Sequence, residues 1–348
     1  MNAHGRGFEM PITVYAIVPA GPAVDEAIAT NAALSGLWTI TAGPYAAVVG
    51  DGPKLENQGR SREELVLQLL AHQKIVEQIM LAAAVLPVKF GTIVPDDAGV
   101  RSFLERGGPA YDAAFERLAG CVQMEILVKW DVEAVFAEIA KEDAIIGLKE
   151  KWKLHIGAPE DALRFAIGKL VKQSLDRRRA TLAASLSEAL RVVAVDAIAN
   201  PATADEIVLH LALLIKSDQM AALDRCLETL DAAHGGRLTW RVVGPLAPYS
   251  FATVEIEIVE GAALTKAMRL LGVSPSSSLA QVRLAYRRAA KSVHPDAVGN
   301  GGNASMVALT EACRILSLNA EAAGTPVLAG RSVIVSVRRQ EGALDVAA

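Results

Sequence analysis

The side chains able to do chemistry in this sequence are few and scattered. Two pairs of adjacent acids, Glu63-Glu64 and Asp96-Asp97, are the groups from which a shared-proton catalyst is made. Neighbours at the start of a helix point in different directions, however, and acids placed there complement the positive end of the helix dipole. His72 could act as a base, but it lies beside Leu69 and Val76 on an apolar helical stripe and reads as a boundary or core histidine. Lys89, in "PVKFGT", is open to two readings: an anion-binding cation, or an outer-face strand lysine that needs no ligand. Cys121, Cys226 and Cys313 are odd in number, far apart and without CxxC spacing, which argues against both a disulfide framework and a zinc site. No GxxxxGK[ST], no GxGxxG after a strand, no HExxH and no GxSxG occurs, so phosphate loops, dinucleotide sites, zinc hydrolysis and the serine elbow lack their minimum chemistry. No catalytic set, metal or cofactor is expected.

One constellation stands apart. In "QVRLAYRRAAKSVHPDAVGNGG", Gln281 to Gly302, a helix capped by Ser278 carries Val282, Ala285, Tyr286 and Ala289 as an apolar stripe. Arg283, Arg287, Arg288 and Lys291 form its solvated face. Pro295 removes a backbone donor and pushes His294 toward extended geometry, so the helix stops and His294 and Asp296 are displayed on a stiff corner. Residues 261–320 hold seven Lys or Arg against two acids, a charge of +5 set against -9 for the remainder of a chain whose net charge is -4. The mildly acidic whole disfavours a general nucleic-acid binder, while the cationic face suits an acidic protein partner.

The elements that position these groups follow from period and punctuation. A chain of 348 residues, 52% apolar, is long enough for two or three packed domains, since single cores rarely grow beyond about 250 residues. Ile12 to Val18, Leu37 to Gly43 and Tyr45 to Gly50 are short, β-branched and bounded by Gly and Pro, the marks of strands. From Ser61 a capping box with Glu64 opens a helix bearing Leu65, Leu69, His72, Ile75, Val76 and Ile79 at helical spacing. Pro87 forces Leu86 out of the α region and into an extended segment, "LPVKFGTIV". Asp96 to Gly120 reads as one helix, or as two broken near Gly107-Gly108-Pro109, and Cys121 to Trp130 as a strand.

The expected fold is therefore α+β. Residues 1–130 form an N-terminal ferredoxin-like antiparallel-sheet domain, 131–200 a helical middle, and 201–260 a second α+β domain with 331–339 as a candidate closing strand. Residues 261–320 form a small all-helical module. The longest strongly apolar stretch, Ile79 to Val88, contains Pro87 and is shorter than the roughly 18–20 residues that cross a bilayer. With no export signal read at the N-terminus, a reducing cytoplasm is the expected compartment.

Two resemblances extend this reading. Between Leu264 and Leu316 the chain resembles the J domain of DnaJ-type co-chaperones, with Leu271-Gly272-Val273, Ala285-Tyr286-Arg287 and His294-Pro295-Asp296 in that order. The resemblance implies docking on an Hsp70 and stimulation of its ATP hydrolysis, with His294, Pro295 and Asp296 indispensable and Arg283, Arg287, Arg288 and Lys291 steering the encounter.

Most of the remaining chain resembles the gas vesicle accessory proteins of the GvpF/GvpL family. It does so through "VYAIV", "YAAVVG", "AHQKIVEQIM", "VQMEILVKWD" and "LTWRVVGPLAPYSF". The carrying residues are Leu86, Pro87, Lys89, Phe90, Gly91 and Thr92, followed by Gly244, Pro245, Pro248, Tyr249 and Phe251, as structural positions or as contacts to a shell protein. That family implies a non-enzymatic cytoplasmic factor, associated with gas vesicles, that contacts the small hydrophobic shell protein and other gas vesicle proteins. The alternative is a minor structural component of the vesicle whose J-like module only packs or oligomerises.

Overall fold

The computed structural model of the chain describes residues 11–52, 61–154, 159–274, 276–293, 302–321 and 331–342. Two compact units emerge, Met1–Ala119 with Ala252–Arg339, and Gly120–Phe251 with Gln340–Ala348. Both are α+β with antiparallel sheets.

The first unit opens with β1 (Ile12–Pro19), α1 (Pro22–Thr30), β2 (Leu37–Ala42), β3 (Tyr45–Asp51), α2 (Arg62–Met80), β4 (Leu86–Pro87), β5 (Ile93–Val94) and α3 (Asp97–Leu118). Strand order is β2-β3-β1-β4, with β5 also on β1. This is the split βαβ arrangement of ferredoxin-like sheets. As a central strand β1 is covered on both faces, and Val14, Ala16, Ile17 and Val18 are fully buried. The Ser61–Glu64 capping box is present, each side chain accepting from the other's backbone N–H at 3.2 and 2.9 Å. The buried side chains of α2, His72, Val76 and Ile79, all lie in its second half.

Helix α3 runs unbroken through Gly107-Gly108-Pro109. Tyr111 folds back across Gly107, where a Cβ would lie 2.2 Å from the ring, and its hydroxyl donates to the Phe103 carbonyl at 3.2 Å. Glycine thus makes the room, and the aromatic cover helps hold a helix that proline alone would weaken.

The second unit contains β6 (Cys121–Trp130), α4 (Val132–Ile139), α5 (Asp143–Lys153), α6 (Glu160–Arg191), β7 (Asp196–Asn200), β8 (Ile207–Lys216), α7 (Met220–Ala233) and β9 (Leu238–Leu246). Its order, β7-β8-β6-β9, repeats the topology of the first sheet. Met124, Ile126 and Val128 of β6 and Leu211, Leu213 and Ile215 of β8 join Leu175, Leu186 and Leu190 of α6 in one core.

The unit boundaries differ from those expected. Cys121–Trp130, assigned from sequence to the N-terminal domain, is the first strand of the second sheet and lies between β8 and β9. The stretch taken as wholly helical, 131–200, ends in strand β7. It is the crossover of the second βαβ, not a separate domain.

β10 (Thr253–Glu260), expected in the second domain, pairs antiparallel with β11 (Arg331–Arg338) in the first unit. Val254 forms a parallel bridge with Val88, and the Lys89 N–H donates to the Val254 carbonyl at 2.9 Å. α8 (Gly261–Leu271), α9 (Leu279–Val293) and α10 (Gly302–Glu321) lie in the chain between these two strands. No described helix is long and apolar enough to cross a membrane.

Candidate functional site

The helical insertion is assembled by local signals. Helix α8 ends at Gly272, whose φ of +64° is left-handed, and the Val273 N–H returns to the Met268 carbonyl at 3.1 Å. This is a Schellman stop: Met268 and Val273 both pack on the module core, which supplies the apolar contact such stops use. The Leu271-Gly272-Val273 motif therefore has a direct structural meaning. Ser278 then caps α9, accepting from the Gln281 N–H at 3.3 Å while the Gln281 side chain accepts from the Ser278 N–H at 2.8 Å.

Val282 is buried, and Ala285, Tyr286 and Ala289 lean on the same core. Leu309, Ala312, Ile315 and Leu316 of α10 close it, and the Tyr286 hydroxyl lies 3.3 Å from Thr310 Oγ1. The core does not end with the helices: Val259 of β10 and Ile334 of β11 are buried within it, so the module is seated on the hairpin.

On the other side of α9, Arg283, Arg287, Arg288 and Lys291 are all exposed and make no ion pair with a described residue. Arg314 of α10 behaves differently, donating to Glu311 and to Glu257. Those hydrogen bonds hold the Glu311 carboxyl below its usual range and push the guanidinium further up. Leu284 stands among the α9 cations, 43% exposed, beside a shallow groove of about 400 Å³ that includes Val273, Gln281 and Arg288. Sequence reasoning passed over Leu284, although its place on the same arc as Arg287 and Lys291 follows from helical spacing. His294, Pro295 and Asp296 lie outside the described residues.

Each of the two other motifs forms a turn within its own unit. Leu86 and Pro87 pair with Ile17 and Ala16, and Lys89 to Thr92 make a turn, with the Thr92 N–H on the Lys89 carbonyl at 3.2 Å and Gly91 at φ +82°. A positive φ at the third position is what a type II turn requires of glycine. The Lys89 ammonium, one of the two readings left open, reaches Glu255 at 3.0 Å. Glu255 also receives Arg338 at 2.8 Å.

Glu255 and Glu257 alternate along β10, the period-two placement that a strand through "VEIEIVE" gives them. His72 is buried, with Nε2 3.1 Å from the Val88 carbonyl, its ring stacked on Tyr15 and edge-on to Phe90. Burial lowers its pKa.

In the second unit, Gly244 (φ +147°) precedes a cis bond to Pro245, and a Cβ there would lie 2.4 Å from Met124 Sδ. Pro248 and Phe251 are buried, and Tyr249 is partly so. The turn they form is held by the Gln123 side chain, whose Oε1 accepts from the Ser250 N–H at 2.9 Å and whose Nε2 donates to Ser250 Oγ at 3.1 Å. Leu86 to Thr92 and Gly244 to Phe251 thus belong to different units.

Fold and site together define an α+β protein of two split-βαβ units, one of them bearing a helical module with an open cationic face. The family model described as "Gas vesicle synthesis protein GvpL/GvpF" matches residues 12–253, most of the chain, which therefore belongs to that family. The match ends before the three helices.

Gas vesicle protein F of Streptomyces sp. (strain CB03234) is 29% identical over 210 residues, covering 60% of this chain and 84% of the relative. Gas vesicle protein F of Dolichospermum flosaquae is 25% identical over 219 residues, covering 61% and 88%. The crystal structure of GvpF from Anabaena sp. PCC7120 aligns with a TM-score of 0.56 at 20% identity, covering 69% of this chain and 97% of that one. That of GvpF from Microcystis aeruginosa gives 0.55 at 20% identity, covering 69% and 98%. At this identity the structural likeness establishes the fold alone.

Proposed function

We propose that this protein is an accessory factor of gas vesicle formation that works by docking other proteins and catalyses no reaction of its own. Its α+β body handles the hydrophobic shell protein in the cytoplasm. Its helical module, read as J-like, engages an Hsp70 through the α9 cations and the His294-Pro295-Asp296 motif. The observation that carries this reading is the α9 face, with four exposed cations free of described acids on a helix that is capped and packed along its opposite side. Such a face steers an acidic partner, and Leu284 supplies an apolar contact at its centre. Membership of the GvpL/GvpF family supports the gas vesicle setting. In this reading Leu86 to Thr92 and Gly244 to Phe251 act as structural turns.

The test is His294→Gln in the full chain, assayed for stimulation of Hsp70 ATP hydrolysis and, separately, for capture of purified shell protein. Stimulation should vanish while capture persists. Undiminished stimulation would remove the Hsp70 half of the reading.

A second reading, a structural vesicle component whose module only packs, is favoured by the burial of Val259 and Ile334 in the module core. It predicts retention on intact vesicles through a denaturant wash.

A further inference from the structure

The first half of α2 is largely exposed. Every residue from Arg62 to Ala71 is exposed except Gln68, which is half-buried. Leu65 and Leu69 continue the line of His72, Val76 and Ile79 toward the body. The opposite side is more unusual for a helix facing water. Glu63, Val66, Leu67, Leu70 and Lys74 are spaced i, i+3, i+4, i+7, i+11 and share one face. Val66, Leu67 and Leu70 are 48, 66 and 54% exposed. Glu63 and Lys74 are exposed and make no ion pair with a described residue. The Ser61–Glu64 box satisfies the start of the helix, so the arm is formed before anything covers it.

This face is complementary to itself. If two copies lie antiparallel about a twofold axis between positions 68 and 69, Leu67 of one copy meets Leu70 of the other, and Glu63 meets Lys74. The charges stand roughly 16 Å apart along each helix and flank the apolar centre at equal distances. A partner of different sequence gives no reason for that symmetry, whereas an isologous contact between copies requires it.

We propose that α2 is a self-docking arm through which two copies of this chain pair, independently of the α9 face. A few apolar side chains per copy cover far less than the roughly 800 Å² per partner of a stable complex. The pairing is therefore weak and concentration-dependent, and it favours crowded assembly over a permanent dimer.

Sedimentation velocity of the full chain over a range of concentrations tests the proposal. Wild type should show a rapidly reversible dimer with a Kd on the order of 10–100 μM. By symmetry a single charge reversal turns two attractions into two repulsions, so Glu63→Lys and Lys74→Glu should each weaken pairing by about tenfold. The double reversal should restore it to within about threefold, despite an unfavourable cation near the helix start. Mixed dimers of wild type and the double reversal should be about tenfold weaker than either homodimer, because every cross pair is then like-charged. Leu67→Gln with Leu70→Gln should abolish pairing, and since all these positions are exposed, circular dichroism and the thermal midpoint should be unchanged. A wild type monomeric throughout, a dimer indifferent to the single reversals, or a double reversal no tighter than the singles would each overturn the pairing.

Discussion

Cutting the helical module away from its hairpin should unfold it, and the structure sets the size of the effect. Val259 and Ile334, contributed by β10 and β11, are 4% and 3% exposed within the core that α8, α9 and α10 share. Burying an aliphatic side chain of this kind contributes about 1.5–3 kcal/mol, so their removal costs about 3–6 kcal/mol. The Arg314–Glu257 ion pair is partly solvated and adds at most about 1 kcal/mol. A core of this size rarely supplies more than about 3–5 kcal/mol in all. The helices alone therefore have a net stability near zero.

Urea unfolding of two fragments, followed by helical circular dichroism, measures the difference. Residues 253–338 should give a folded baseline and a cooperative transition, and residues 261–321 should have little of either. In the full chain, Val259→Ala with Ile334→Ala should speed amide exchange throughout α8 to α10 and leave the second unit unchanged. Equal urea midpoints for the two fragments would refute the shared core and would make the module an independent domain on a tether.

Two further outcomes follow from single positions. Because burial depresses the His72 pKa, the unfolded chain binds the proton more readily; stability is complete above the ordinary value of 6.5 and falls as pH drops below it, by up to about 1.4 kcal/mol per pH unit. His72→Gln, which keeps a donor for the Val88 carbonyl, should flatten this loss in thermal midpoints taken from about pH 7.5 to 5.5; parallel curves for the two proteins would exclude His72 as the source. Gly244→Ala should cost roughly 2–4 kcal/mol, since the new methyl meets Met124 Sδ at 2.4 Å and the Gln123 carbonyl oxygen at 2.9 Å. Gly43→Ala, with φ +62° and nothing within 4 Å, should cost only about 1–2 kcal/mol, and equal urea midpoints would refute the packing argument.

What the order of residues determined without the fold was local. Capping residues declare themselves within one turn, so Ser61 with Glu64, and Ser278, were legible as helix starts. Helical period separated the buried stripe of Val282, Ala285, Tyr286 and Ala289 from the cationic face, because a side chain's direction on a helix depends only on its position along it. Strand partners were another matter. Period two tells which face of a strand is covered but not which strand lies beside it, and pairing joins residues far apart in sequence.

Only the tertiary structure could therefore move Cys121–Trp130 into the second sheet and set Thr253–Glu260 beside Val88. The same holds for Leu67 and Leu70, which read as ordinary helix residues until the packed unit covered the far half of α2 and left this half in water. Burial belongs to the assembled surfaces, and no window of the chain contains both sides of a contact.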